Sequence, residues 1–259
     1  MVRLLGMEKI LAIALIPVMM VFCVSCSTAV SSISYFSVND KNIPVEIPVY
    51  DYKNINFDFN YSNVTFYNTT KDNIIISYKT DDFSEAPDYK AKGPSVRPEK
   101  SKLSISFENL KNLSEINIYI PRSIKCISVK HNKGDLHFND DITCNLIVQG
   151  NESEIKINYI DALLDISVSK GNITVLNGHL PSESRIVTET GNISICTRFG
   201  AGEYYFTTKF GNIDLQSKST GISLNTLGYT RLNEFSHHLS NTVFVTLASD
   251  VGFITAVSS

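Results

Sequence analysis

Apolar and polar residues alternate along most of the chain, and in its second half the alternation is organised around a recurring phrase. Lys133-Gly134-Asp135-Leu136 is followed by Lys170-Gly171-Asn172-Ile173, Thr190-Gly191-Asn192-Ile193 and Phe210-Gly211-Asn212-Ile213. Glu152-Ser153-Glu154-Ile155 is a degenerate copy, and Val251-Gly252-Phe253-Ile254 is the last. Seven and five residues before the middle residue of a phrase lie Ile127 and Val129, Leu146 and Val148, Leu164 and Ile166, Tyr204 and Phe206, and Val245 and Leu247. Two and four after it lie Leu136 and Phe138, Ile155 and Ile157, Ile173 and Val175, Ile193 and Ile195, Ile213 and Leu215, and Ile254 and Ala256. The copy at Gly191 keeps only Ile186 of the first pair, with Ser184 in the other place. A spacing of two is the strand period, which puts alternate side chains on one face. Each unit therefore reads strand, turn, strand, turn, with the glycine where a positive φ is often needed.

Successive middle residues are 19, 18, 20, 20 and 41 apart. The last step is two periods, so one copy near Tyr229 or Thr230 is expected to have lost its glycine. A fixed period near ~20 residues marks a repeat architecture. A unit with so few inward apolar side chains cannot fold alone and needs neighbours stacked on it. The expected fold is all-β, a single-domain parallel β-solenoid (β-helix-like) whose regular rungs span 121–259. An antiparallel sandwich of hairpins is the alternative that carries the same local signals.

Residues 45–120 are rich in strand signals but lack the glycine phrase. Ile55, Phe57 and Phe59 alternate, as do Val64 and Phe66, Ile74 and Ile76, Leu103, Ile105 and Phe107, and Ile116, Ile118 and Ile120. These strands are expected to form irregular first rungs that cap the otherwise open end of the stack. Thr80 to Lys102 is polar and holds Pro87, Pro94 and Pro98, which predicts a surface excursion rather than a strand.

The start of the chain reads as an export signal. Arg3 and Lys9 precede an uncharged apolar run from Ile10 to Val24, shorter than the ~20 residues a spanning helix needs. The run ends in Cys23-Val24-Ser25-Cys26-Ser27. This resembles a bacterial lipobox, with small Ser25 before a cysteine, although Cys23 stands where a leucine is usual. Residues 1–25 are read as a lipoprotein signal peptide, Cys26 as the lipidated residue and 26–44 as a tether. Met7 is an alternative start. More than one acyl chain on Cys26 would make the anchoring stable.

Charge and cysteine content narrow the partners. The formal net charge is −3. Cleavage before Cys26 removes Arg3, Lys9 and Glu8 and leaves −4, with no basic stripe, so nucleic acid is not expected. Cys126, Cys144 and Cys196 remain, an odd number without a C-x-x-C pair, and a disulfide framework is not indicated. Cys126 and Cys144 fall one position apart in adjacent rungs, so one should point inward and one outward.

Ile116-Asn117-Ile118-Tyr119-Ile120-Pro121-Arg122-Ser123-Ile124, then Ile127-Ser128-Val129 and Gly134-Asp135-Leu136, resemble the bacterial putative-adhesin family of β-strand-repeat domains. That family, a domain of unknown function, pairs a strand ending in I-P-(K/R) with a GD(I/L) phrase and later G-N-I copies. The resemblance covers roughly 45–256. It implies a cell-envelope protein and brings no catalytic residues.

Candidate chemistry is sparse. His131 and His137 flank Gly134 at three residues on either side, His179 stands alone, and His237-His238 are adjacent in a polar stretch. None has ligand spacing, and neither a metal nor a cofactor is expected. No G-x-S-x-G, H-E-x-x-H or P-loop pattern occurs. The column one place after the glycine, Asp135, Glu154, Asn172, Asn192 and Asn212, should stack at rung spacing of ~4.7–4.9 Å. It reads as an amide ladder that satisfies turn backbones, or as a polar strip that meets a glycan or calcium, although asparagine lacks the charge that good calcium sites use. The leading reading is a non-catalytic, adhesin-like contact module of the cell envelope, held to a membrane by its N-terminal lipid (the outer membrane, if the cell has one). Its partner at the surface would be a glycan or an envelope protein. A second is a structural or envelope-stress component that self-associates through its C-terminal rung, Val243 to Ile254. A third is a carbohydrate-active β-helix enzyme, which needs two carboxylates within ~5–10 Å on one face.

Overall fold

The computed structural model describes residues 34–37, 44–49, 51–80, 92–107, 113–219, 221–232 and 242–258. Every regular element among them is a strand, so the all-β class follows directly from the alternation. In chain order the strands are β1 (Ser34–Ser37), β2 (Val45–Pro48), β3 (Asn54–Tyr61), β4 (Asn63–Thr69), β5 (Asn73–Thr80), β6 (Lys92–Pro98) and β7 (Lys102–Ser106). There follow β8 (Leu113–Pro121), β9 (Cys126–Ile142), β10 (Asn145–Asp161), β11 (Leu164–Lys170), β12 (Ile173–Val175), β13 (Gly178–Leu180) and β14 (Arg185–Thr190). The last are β15 (Ile193–Phe199), β16 (Gly202–Phe210), β17 (Ile213–Ser217), β18 (Ser223–Leu232) and β19 (Val243–Ser258).

Residues one repeat apart lie side by side in parallel pairing. Leu146 is beside Ile127 and Leu164, and Ile155 is beside Leu136 and Ile173. The register continues from Ile173 to Ile193, Ile213 and Ile254 on one side of the turn, and from Ile186 to Phe206 and Leu247 on the other. All of these side chains are buried. Ile173, Ile193 and Ile213 thus form one internal column, because a period-2 strand in parallel register brings equivalent residues onto the same face in every rung. Ser184, which interrupts the apolar pattern, is fully buried, and its Oγ accepts from the Leu164 N–H at 3.1 Å. Tyr204 reaches the same interior, and its hydroxyl lies 2.8 Å from the Leu180 carbonyl. Burial pushes that phenol up to about 12.

The order of the rungs differs from the order of the chain at both ends. β3 and β4 lie against the two halves of β9, with Ile55 beside Ile127 and Val64 beside Leu136. The rung 54–69 is therefore regular, and Ser62 holds the place of the glycine. β7 and β8 come later in the sequence yet lie outside it, beside β3 and β4. At the other end β19 pairs with β16 and β17 on one side and with β18 on the other. The chain forms the outer rung 223–232 first and then inserts 243–258 beneath it. The expected loss of a glycine near Tyr229 is corrected by the same observation. Gly228 stands in that turn with φ of 133°, displaced by a register shift between Leu227 and Tyr229. The edge of β19 that the sequence offered for self-association is occupied by β18 within the chain.

At the opposite end antiparallel strands cover the outer rung. β5 pairs with β8 and β2 with β5, while β6 pairs with β7 and β1 with β6. Two expectations change here. Lys92–Pro98, read as part of a surface excursion, is a strand, because Pro94 and Val96 point inward and the pairing with β7 and β1 outweighs the prolines. Ser34–Ser37, read as part of a tether, pairs with β6. Interior aromatic rings bridge the rungs of this half. Phe66 stacks on Phe138 with centroids 4.6 Å apart, and Phe59 stacks on Phe107 at 4.9 Å.

Candidate functional site

The glycine turn is a complete hydrogen-bonding unit that repeats from rung to rung. The Gly171 N–H donates to the Thr190 carbonyl, Gly191 to Phe210 and Gly211 to Val251, each at 2.9 Å. The turn packs so closely that a Cβ on Gly191 would be driven into the Gly171 carbonyl, and one on Gly211 into the Gly191 carbonyl. These carbonyls are capped from inside by the residue three places before the next glycine. Thr188 Oγ1 donates to Gly171 O at 3.3 Å, Thr208 to Gly191 O at 2.9 Å and Ser249 to Gly211 O at 2.8 Å. The sequence reading passed over this column. Its signal was Thr188, Thr208 and Ser249 recurring at one offset in otherwise apolar strands. Buried backbone groups must be paired, and the recurring hydroxyls pair them.

His131 occupies the same offset and does the same work. It is 2% exposed, with Nε2 2.9 Å from the Ser62 carbonyl and Nδ1 2.8 Å from Ser153 Oγ. The carbonyl can only accept, so Nε2 carries the proton, and Nδ1 accepts from the serine. Burial lowers the imidazole pKa, against smaller opposing effects from the Ser62 carbonyl and Asp135. The neutral ring belongs to the folded state, so its stabilisation is complete above the unfolded pKa of ~6.5 and is lost as pH falls below that value. The denaturation midpoint is expected to fall between pH 7 and 5, with a slope of up to about 1.4 kcal/mol per pH unit from this group. His131→Gln should remove that component, and urea titrations at several pH values would measure it. A slope identical in the variant would refute the assignment.

On the outside, the column one place after the turn is a ladder of side-chain caps. Asn63 Oδ1 accepts from the Asp135 N–H at 3.1 Å, and Glu154 Oε2 from the Asn172 N–H at 3.1 Å. Asn172 Oδ1 accepts from the Asn192 N–H, Asn192 from Asn212 and Asn212 from Phe253, each at 2.8 Å. The structure thus brings Asp135, Glu154, Asn172, Asn192 and Asn212 into one exposed file. The sequence did not identify Asn63 and Phe253 as its ends, since Asn63 is brought in by the reordered rung. One place before the turn, Lys133 and Lys170 hold Glu152 between them, at 2.9 and 3.4 Å. A shallow depression lies over Lys133, Asp135, Glu152, Glu154 and Lys170.

Asp135 and Glu154 are register partners on adjacent strands, so two carboxylates do share this face. The environment is the wrong one. A general acid must keep a proton at working pH, which requires a raised pKa. Hydrogen bonds from Lys133 and Lys170 instead lower that of Glu152. Glu154 spends both oxygens on the N–H and Nδ2 of Asn172. His137 Nε2 is 3.3 Å from Asn158 Oδ1, and His179 Nδ1 is 3.0 Å from Asp161. Among the described residues no group of three His, Cys, Asp or Glu side chains gathers to hold a metal. Cys144 is buried and Cys126 half-buried, as the one-position offset predicts, and both are free thiols. Burial pushes the Cys144 thiol up to about 12. Cys26, His237 and His238 lie outside the described residues.

Along the edge the chemistry changes from charged to aromatic. Lys133, Glu152 and Lys170 give way to Thr190, Phe210 and Val251 before the turn, and the asparagines give way to Phe253 and Tyr229 after it. Phe210 is 57%, Val251 58%, Phe253 51% and Tyr229 75% exposed. Most of the exposed large apolar residues of the described chain are in these last three rungs.

A family model described as Toastrack DUF4097 matches residues 52–226. Similar solved structures include a putative adhesin from Bacteroides fragilis, 16% identical, with 84% of this chain and 98% of that chain covered and a TM-score of 0.47. A putative adhesin from Parabacteroides distasonis is 12% identical, with 84% and 98% covered and a TM-score of 0.46. A putative lipid binding protein from the same species is 13% identical, with 84% and 97% covered and a TM-score of 0.35. No curated protein matches the chain.

Proposed function

The chain belongs to the Toastrack DUF4097 family, and on that premise we propose that it is an exported lipoprotein whose parallel β-solenoid serves as a non-catalytic, adhesin-like contact module of the cell envelope. The observation that carries this reading is the glycine-turn edge. The same exposed backbone and side-chain groups recur there from rung to rung, in a continuous strip rather than a pocket. Such a strip suits contact with an extended partner, and the lysines beside Glu152 hold its carboxyl below the usual range, the opposite of what a general acid needs. Residues 1–25 would be removed and Cys26 acylated. In a cell with two membranes, Ser27 after the lipidated cysteine points to the outer one.

Metabolic labelling with a fatty-acid analogue tests the anchor. The wild-type chain should carry label and sediment with membranes, and Cys26→Ser should lose both. Equal labelling of the two proteins would overturn it. Protease applied to intact cells should cleave the chain if it faces outward.

A further inference from the structure

The aromatic end of the edge is built differently from the rest, and its donors are differently employed. Each asparagine Oδ1 faces the N–H of the next rung, which fixes the amide orientation because that N–H can only donate. Asn172 Nδ2 donates back to Glu154 at 3.2 Å. Asn192 and Asn212 have no partner for Nδ2 among the described residues, so two amide donors stand one rung apart on an exposed surface. Phe210 stands two residues before Asn212, across the Gly211 turn and in register between Thr190 and Val251, and Phe253 and Tyr229 continue the asparagine file in register.

We propose that Asn192, Asn212, Phe210, Phe253 and Tyr229 form a binding site for an extended, uncharged polysaccharide. This rests on the contact-module reading and names its ligand. The apolar C–H faces of sugar rings lie flat on aromatic rings, and sugar hydroxyls accept from amide N–H groups, so the mixture of the two fits a glycan better than it fits an apolar partner. The rung spacing of ~4.8 Å is close to the length of one residue in an extended β-linked glycan, so successive sugars would meet successive rungs. Charge favours a neutral polymer. Lys209 is paired with Glu189 at 3.1 Å, and Asp214 and Asp250, close by in sequence, would repel a polyanion. A shallow strip selects a chain over a single sugar, which would bury too little surface there.

The test uses the full chain in detergent, incubated with insoluble cellulose, chitin and a β-1,3-glucan, with polygalacturonate as the anionic control. Binding to at least one neutral polymer is expected. Phe210→Ala with Tyr229→Ala should weaken it by about tenfold or more, since both side chains are exposed and neither holds the core. Asn212→Asp keeps an oxygen to cap Phe253 and replaces the outward donor with a charged acceptor, so it should weaken binding several-fold with little change in the thermal midpoint. Absence of binding to all three neutral polymers would overturn the proposal, as would preference for polygalacturonate or wild-type affinity in both variants. Sedimentation showing that the Phe210/Tyr229 pair abolishes dimerisation instead would also overturn it, by assigning the patch to a second copy. Labelled Cys26 with no polysaccharide binding refutes this inference alone, and polysaccharide binding without label refutes the anchor alone.

Discussion

Gly191→Ala should cost roughly 4 kcal/mol or more, or abolish folding, placing it among the most damaging single substitutions in the chain. Two effects combine. The backbone at Gly191 has φ of 151°, where a side chain is strained. The added Cβ would also strike the Gly171 carbonyl, which is backbone and cannot rotate away. Relief requires separating two rungs, and that breaks the Gly171 N–H bond to Thr190 and the Asn192 N–H bond to Asn172 together. Gly211→Ala isolates the collision, since that glycine meets the same obstacle without a φ in the strained region. Urea denaturation of both variants would measure the cost. Losses below about 1 kcal/mol, the scale of an ordinary exposed Gly/Ala exchange, would mean the turns are not in contact.

Phe66→Ala should cost about 3–5 kcal/mol, the range for truncating a buried aromatic residue. Phe66 is 1% exposed and lies flat on Phe138, with an interplanar angle of 5°, and edge-on to Phe57. The two stacked rings come from rungs 72 residues apart in sequence, which are neighbours only because the rung 54–69 lies directly against 126–142. Phe138→Ala should therefore be non-additive with Phe66→Ala, with a coupling of about 0.5–1.5 kcal/mol. A double-mutant cycle by thermal or urea unfolding reads this directly. Strict additivity would place the two rings apart and refute the reordered stack.

Much of this was legible in the sequence. The alternation located the strands around Ile127, Ile173, Ile193 and Ile213, because a half-buried strand must show period 2. The repeat length fixed which residues are equivalent, and so the file from Asp135 to Asn212. Ser62 and Asn63 were not legible as members of the set, since Tyr61-Ser62-Asn63-Val64 lacks the glycine and sits outside the numerical period. Thr188, Thr208 and Ser249 were visible as a recurrence, but a hydroxyl in a strand has many uses. Only the close approach of two turns shows that these cap carbonyls. Lys92–Pro98 was misread because its prolines outweighed a weak alternation, and its pairing partners are distant in sequence.

The chain's own pattern determined the class of fold, the inward set and the composition of the turn, because each depends on residues within a few positions of one another. The choice of neighbour for each rung was left to the tertiary structure. Parallel in-register pairing is satisfied by any two equivalent copies, so alternation alone does not order them. The covering of the two ends decided that β3 lies between β7 and β9, and that β19 slips between β16 and β18. That ordering carried Tyr229 to the rim beside Phe253 and gathered an aromatic surface from segments the sequence keeps apart.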